Sequence, residues 1–189
     1  MGKSFLMAVK ISIISVIIYP CGAVLGHPHV FISPKVTLRM EGYNIKKAGI
    51  RWVFDRMTSN SMMEYLDRDS DGKLSEKETR HIKKEVFPSL SKYDYYTFIR
   101  IDGEPIKNPE PVNFEIFLSE KNKLEYRFDF TINKNVKERV SMVFEDSTIY
   151  TAFDFSAGSV KLLGPGGEKL DLPIEEVDSD YSTKVVVEF

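Results

Sequence analysis

Alternation of hydrophobic and polar residues is the dominant pattern of this chain. It runs from Val30 to Met40 and again from Ala48 to Phe54, with the turn-like segment E-G-Y-N between the two. Such alternation predicts two strands that each bury one face. Pro34, inside the first strand, predicts an edge position or a bulge, because proline has no N–H to donate to a neighbouring strand.

The second half of the chain continues this pattern in shorter segments, separated by Gly, Pro, Asn and Asp. The segments that predict strands are Y-T-F-I-R-I, N-F-E-I-F-L, L-E-Y-R-F-D-F-T-I, R-V-S-M-V-F, T-I-Y-T-A-F-D-F, V-K-L-L and K-V-V-V-E-F. Phe128 and Phe130 are two residues apart, as are Phe153 and Phe155, so each pair shares one sheet face. We interpret both pairs as core residues, with an aromatic binding wall as the alternative.

One segment departs from the strand pattern: D-R-D-S-D-G-K-L-S-E-K-E, residues 67–78. A calcium loop of the EF-hand type has oxygen ligands at positions one, three, five, seven, nine and twelve, and glycine at position six for a sharp turn. The ligands that this spacing predicts are Asp67, Asp69, Asp71, Lys73 through its backbone carbonyl, Ser75 and Glu78, with Gly72 at position six. The alternative is an acidic, solvated turn, whose three neighbouring aspartates would repel one another without a cation.

Helical signals flank this loop. Met62, Met63 and Leu66 predict the inner face of an entering helix, and S-E-K-E from Ser75 is a capping box that opens an exit helix. We expect the exit helix to run through Phe87 and to stop at Pro88. The fold class predicted is α+β, mostly antiparallel β in a sandwich or a curved sheet, with an EF-hand-like helix–loop–helix inserted at about residues 57–88. Because only one such loop is readable, a constitutive structural calcium site is favoured over a switch.

The N-terminus predicts export. Lysines precede a short apolar run, I-S-I-I-S-V-I-I, and small residues follow Pro20, which is typical of a secretory signal peptide covering residues 1–26. Cleavage after Gly22 or Ala23, a retained membrane anchor, and lipidation at Cys21 are the alternatives. Residues 27–189 would then form a single periplasmic domain without cysteine. The chain has no basic patch that would suggest nucleic acid.

Two of the three histidines, His27 and His29, lie at the predicted start of the mature chain, in H-P-H-V-F-I. Imidazole nitrogen suits zinc, nickel, cobalt and copper, whereas calcium prefers oxygen, so these histidines and the aspartate loop predict separate sites. Asp55, at the end of the next strand, is the candidate third ligand if the two strands pair. The alternative for the pair is ordinary strand histidines. His81 is interpreted as a solvated helix residue.

Together, H-P-H-V-F-I, the strand segment W-V-F-D, the aspartate loop and the segment T-I-Y-T-A-F-D-F resemble a bacterial periplasmic family of formerly unknown function. That family is labelled the periplasmic component of an uncharacterised, ABC-type transport system, and it includes ZevA-like zinc-uptake accessory proteins. The resemblance implies binding or delivery of a transition metal, zinc or nickel/cobalt, in partnership with an inner-membrane permease of the nickel/cobalt type.

Two other classes of function remain open from the sequence. One is a non-catalytic, calcium-stabilised periplasmic interaction or scaffold domain. The other is a copper enzyme that uses an N-terminal histidine. We do not expect an enzyme, because residues 27–189 lack cysteine and no serine stands in a recognisable nucleophile context.

Overall fold

Strands dominate the computed structural model, which describes residues 29–107, 110–119, 121–148, 150–178 and 182–189. The strands are β1 (Val30–Glu41), β2 (Asn44–Phe54), β3 (Thr97–Ile101), β4 (Glu104–Pro105), β5 (Pro111–Leu118), β6 (Leu124–Asn135), β7 (Arg139–Phe144), β8 (Thr151–Phe153), β9 (Val160–Leu163), β10 (Lys169–Leu170), β11 (Ile174–Asp178) and β12 (Thr183–Glu188). Every strand predicted from the sequence is present, and D-G-E-P forms the hairpin turn into β4 that its residues predict, while the short β10 and β11 had no signal of their own.

The strands form two sheets. In the larger sheet the order is β10-β9-β1-β2-β6-β5, with β8 also paired to β1, and in the smaller sheet it is β11-β12-β7-β3-β4. Most neighbouring strands are antiparallel, and β8 and β9 run parallel to β1. Buried side chains of both sheets belong to one hydrophobic cluster. The predicted α+β class with mostly antiparallel strands is therefore confirmed.

Pro34 is not on an edge strand, so that part of the prediction is wrong. Its strand, β1, lies inside the larger sheet and pairs with β2 from Ile32 to Glu41. On its other side, β8 pairs with residues 30–32 and β9 with residues 36–39. Pro34 thus falls in the gap between these two short strands. Neither strand pairs with β1 there, so the N–H that proline lacks costs the sheet no hydrogen bond.

The core is built by the alternation that the sequence displays. Trp52 is 2% exposed and meets the edge-on ring of Phe128 at 5.2 Å between centroids. Phe128, Phe130 and Phe155 are buried, and Phe153 is half-buried with its ring 5.9 Å from Phe144. Both phenylalanine pairs are therefore core residues, as predicted, because burial of large aromatic rings supplies much of the hydrophobic stabilisation of a small domain.

The helical insertion follows β2 directly. It consists of α1 (Arg56–Leu66), α2 (Glu76–His81), a π-helical turn (Ile82–Val86), α3 (Phe87–Ser89) and a 3₁₀ segment (Leu90–Tyr96), and a second 3₁₀ turn lies at Ala157–Ser159. The prediction that Pro88 ends the helix is wrong. The N–H of Phe87 bonds to the carbonyl of Ile82, and this wider turn lets the chain pass a proline that cannot donate a helical hydrogen bond.

The predicted signal peptide, residues 1–26, falls outside the described residues. Within the part of the chain that is described, no helix is long and apolar enough to cross a membrane.

Candidate metal sites

The three aspartates of the predicted calcium loop converge. Asp67, Asp69 and Asp71 each offer a carboxylate oxygen, and these oxygens all lie within 4.8 Å of one another. Asp67 is half-buried and the other two are exposed. Among the His, Cys, Asp and Glu side chains of the described residues, this is the group of three whose geometry suits a cation. Oxygen ligands from clustered carboxylates are the chemistry that calcium prefers.

Backbone N–H groups of the loop hold these carboxylates in place. Asp67 accepts from the N–H of Gly72 at 2.9 Å and from that of Asp71 at 3.1 Å, and Asp71 accepts from the N–H of Lys73 at 2.8 Å. Gly72 has φ +76°, a left-handed conformation that glycine adopts without strain. The loop is therefore closed around the carboxylates by its own main chain.

Glu78 links the end of the loop to its beginning. Its carboxylate accepts from the hydroxyl of Ser75 at 2.6 Å, from the N–H of Ser75 at 2.8 Å and from the N–H of Arg68 at 2.8 Å. These bonds, the Ser75 hydroxyl foremost, lower the pKa of Glu78 to about 2, so the carboxylate is ionised at neutral pH. The predicted capping box at Ser75 is confirmed. Glu78 lies outside the group formed by the three aspartates.

The flanks of the loop are fixed to the core. Leu66, immediately before Asp67, is 3% exposed, and Ile82, four residues after Glu78, is 5% exposed. Leu74, at loop position eight, packs against the same cluster, as do Met62 and Met63. The loop is therefore anchored to buried side chains on both sides.

His29 is the one residue of the predicted histidine pair that the structure describes, because His27 falls outside the described residues. The N–H of His29 donates to the carbonyl of Tyr150 at 2.9 Å, and the two rings are 5.2 Å apart. Its imidazole lines an open groove of about 440 Å³ between the start of β1 and the helical insertion. Met57 and Met62 of α1 line the same groove.

Asp55 stabilises the start of a helix. It is the N-cap of α1, and its carboxylate accepts from the N–H of Thr58 at 2.8 Å and from that of Met57 at 3.4 Å. Partial burial acts to raise the pKa of Asp55, but the hydrogen bonds from Thr58 and Met57 outweigh it, and the pKa is lowered. β1 and β2 do pair as the metal hypothesis required, since the N–H of Asp55 donates to the carbonyl of Phe31 at 3.0 Å. Metal binding at Asp55 would compete with the helix cap.

His81 is exposed on the exit helix. Its side chain is 48% exposed, and its Nδ1 lies 3.4 Å from a carboxylate oxygen of Glu85, one helical turn further on. This agrees with its interpretation as a solvated helix residue.

Other donors near His29 were missed by the sequence reasoning. The sequence places Met62 on the inner face of the entering helix, so its thioether could have been predicted to lie near the core side of α1. Tyr150 had no such signal, because a hydrogen bond between positions 121 residues apart depends on the tertiary fold. The groove thus presents one imidazole, two thioethers and phenolic rings.

Comparison with known proteins bears on the family. A curated relative from Spirochaeta aurantia, "Uncharacterized 15.5 kDa protein in trpE 3'region", is 27% identical over 125 residues, which is 64% of this chain and 89% of the relative. A family profile described as "Protein of unknown function (DUF1007)" matches residues 12–183, most of the chain. The match begins inside the apolar N-terminal segment and includes the histidine pair, the aspartate loop and strands β1 to β11, with only the first residue of β12. The chain therefore belongs to the DUF1007 family.

Proposed function

We propose that this protein is a periplasmic accessory protein of a transition-metal transport system, with calcium as a structural ion in the aspartate loop. The observation that carries the calcium part is the convergence of Asp67, Asp69 and Asp71 within 4.8 Å. The loop hydrogen bonds to Asp67 support it, because a site whose ligands are already oriented loses less entropy when an ion binds.

The transition-metal part rests on the resemblance to ZevA-like accessory proteins and on the place of His29. Its imidazole lines an accessible groove, and its backbone is tied to Tyr150. In this proposal neutral His27 and His29 capture zinc, nickel or cobalt and release the ion on docking to an inner-membrane permease of the nickel/cobalt type. A small set of strong ligands favours fast exchange, whereas a closed set of four would hold the metal permanently.

Protonation of the two histidines should weaken metal binding. Imidazole must be neutral to coordinate a metal, so we expect lower zinc affinity at pH 5.5 than at pH 7.5. Equal affinity at the two pH values, measured by competition with a chelating dye whose own affinity is known at each pH, would contradict a site made of histidines.

The direct test is native mass spectrometry of protein exported to a bacterial periplasm and purified without a histidine tag or chelator. The intact mass locates signal cleavage, and the adducts identify the metals. We expect one calcium and, after zinc is supplied, one zinc that is lost in the His27→Ala, His29→Ala double variant. His81→Ala is the matched control, because it removes an exposed histidine from the exit helix and should leave zinc bound.

A second candidate function is a calcium-stabilised periplasmic interaction domain that binds no transition metal. Two observations favour it: the Asp55 carboxylate caps α1, and the ring of His29 packs at a tilt of 40° against that of Tyr150. It predicts calcium alone in both the parent protein and the double variant. A thermal midpoint that does not respond to about 10 mM calcium would overturn both candidates, because a loop with a dissociation constant of about 0.1–1 mM loses its ion in calcium-free buffer.

A further inference from the structure

The outward face of the larger sheet is rich in basic side chains. In β1, β2 and β6 one set of alternate residues is buried in the core, for example Val36, Ile50 and Phe128. The other set points away from the core. The basic residues of this second set, together with the one from β9, are Lys35, Arg39, Lys47, Arg51, Arg127 and Lys161. We call this surface the basic sheet face.

Strand register places these cations side by side. Lys35 of β1 is directly opposite Arg51 of β2, and Arg51 is directly opposite Arg127 of β6. Four residues along β1, Arg39 is directly opposite Lys47. Cross-strand partners project from the same face with their Cβ atoms about 5 Å apart, so like charges in these positions repel each other.

Four carboxylates offset part of this charge. Glu115 is directly opposite Arg127, and Asp154 accepts from the hydroxyl of the outward-facing Ser33. Glu125 is buried on the same face, where it accepts hydrogen bonds from Arg51 and from Arg127. Asp129 lies over Gly49 in the row between the two cationic rows and accepts from the amide of Asn113 at 3.0 Å. Among the described residues, Lys35, Arg39, Lys47 and Lys161 have no carboxylate within ion-pair distance.

The charge is therefore segregated. The basic sheet face has six cations against the four carboxylates Glu115, Glu125, Asp129 and Asp154, but the cations without an ion-pair partner gather at Lys35, Arg39, Lys47 and Lys161, while the whole chain has a formal net charge of −2. A patch of four cations without ion-pair partners on a mildly acidic protein produces a field that attracts an anionic surface over roughly a Debye length.

We propose that the basic sheet face docks on an anionic phospholipid surface. The centre of the face favours a membrane over a protein partner. In the row between the cations, Thr37, Gly49 and Asp129 offer no large aromatic or aliphatic anchor of the kind that dominates most protein–protein interfaces, and the exposed Val112 lies beyond Asp129 on the outer strand β5. Diffuse cations without such an anchor suit a fluid surface of phosphates. Phe31, 39% exposed at the end of β1, follows the same alternation and is placed to enter the headgroup layer.

This inference goes beyond the proposed function, because it holds whichever metal the protein binds. It also gives a physical reason for the protein to be concentrated at a membrane, where a transport partner resides. Metal binding and membrane docking are separable, since the metal-site candidates lie on the insertion and at the start of β1, away from Lys35, Arg39 and Lys161.

The test is sedimentation of the exported, processed protein with vesicles. One set contains about 30% phosphatidylglycerol in phosphatidylcholine and the other is pure phosphatidylcholine, each at about 50 mM and about 300 mM salt. We expect binding to the anionic vesicles alone, weakened at the higher salt. In the triple variant Lys35→Gln, Arg39→Gln, Lys161→Gln the affinity should fall on the order of 100-fold, since each surface cation contributes roughly a factor of five. Arg51 and Arg127 are left intact because they hold Glu125.

The matched control is Lys83→Gln, Lys84→Gln, Lys92→Gln, which removes the same charge from exposed positions of the helical insertion outside the aspartate loop. It should retain most of the vesicle affinity. Circular dichroism and calcium binding should be unchanged in both triple variants. No binding of the parent protein to anionic vesicles at low salt would overturn the proposal and leave an acidic protein surface as the partner of this face. Equal losses in the two triple variants would also overturn it, because the net charge and not the basic sheet face would then be responsible.

Discussion

Replacing Asp69 by asparagine should have opposite effects on stability without calcium and with calcium. The Asp69 carboxylate accepts one hydrogen bond, from the N–H of Asp71 at 3.3 Å, whereas Asp67 accepts two. Asparagine keeps an acceptor oxygen at this position while removing the charge. Asp69→Asn is therefore the change in the aspartate group that disturbs the main chain least.

Without calcium the variant should be at least as stable as the parent protein. Three carboxylate oxygens within 4.8 Å repel one another by about 1 kcal/mol per pair at the dielectric constant of water. Asp69 takes part in two of the three pairs, so its neutralisation relieves up to about 2 kcal/mol at low ionic strength and less at physiological salt. We expect the thermal midpoint in chelator to stay constant or to rise by a few degrees.

With calcium the parent protein should be more stable than the Asp69→Asn variant. Extracellular loops of this type bind calcium with dissociation constants of about 0.1–1 mM, so about 10 mM free calcium should add about 1.4–2.7 kcal/mol to the free energy of unfolding. For a domain of this size that corresponds to a rise in midpoint of about 3–10 °C in the parent protein. The Asp69→Asn variant should lose most of this increment.

Differential scanning fluorimetry in chelator, calcium and magnesium measures both effects. Glu64→Gln is the control, because it removes a carboxylate from the exposed side of α1 outside the loop. It should leave the calcium increment unchanged. A parent midpoint that does not respond to calcium would refute the assignment of the loop, as would a full calcium increment in Asp69→Asn.

Three further predictions follow from the packing and the backbone. Arg51→Met should lower the free energy of unfolding in urea by about 2–4 kcal/mol, because Glu125, with its side chain 2% exposed, loses one of its two cationic partners; a change below about 1 kcal/mol would contradict this. The pKa of Glu78 is lowered from 4.5 to about 2, so its stabilising contribution is fully present above pH 4.5 and is lost as the pH falls toward 2. The thermal midpoint in chelator should therefore drop more steeply across this pH window in the parent protein than in Glu78→Gln. Parallel curves for the two proteins would argue against this contribution. Gly72→Ala should lower the free energy of unfolding in urea by about 1 kcal/mol, because φ at this position is +76°. An added Cβ meets nothing within 4 Å, so the experiment measures backbone strain alone. No loss of stability would mean that the loop relaxes.

The local parts of this protein could be predicted from its sequence. Alternation located the long strands, because the side-chain period of a strand is two and one face of each strand is buried. The turn at Gly72 and the capping box at Ser75 were also predictable, because their hydrogen bonds join residues no more than a few positions apart. For the same reason the convergence of Asp67, Asp69 and Asp71 followed from their spacing.

What the tertiary structure decided involves residues far apart in the chain. The sequence offered Asp55 as a metal ligand, but its carboxylate caps α1, because the helix begins directly at the end of β2. Pro34 suggested an edge strand, but two short parallel neighbours leave a gap for it inside the sheet. The groove at His29 and the rows of cations on the basic sheet face depend on strand order and register. Strand order and register arise from burying all the strands in one core, and a local pattern does not contain that information.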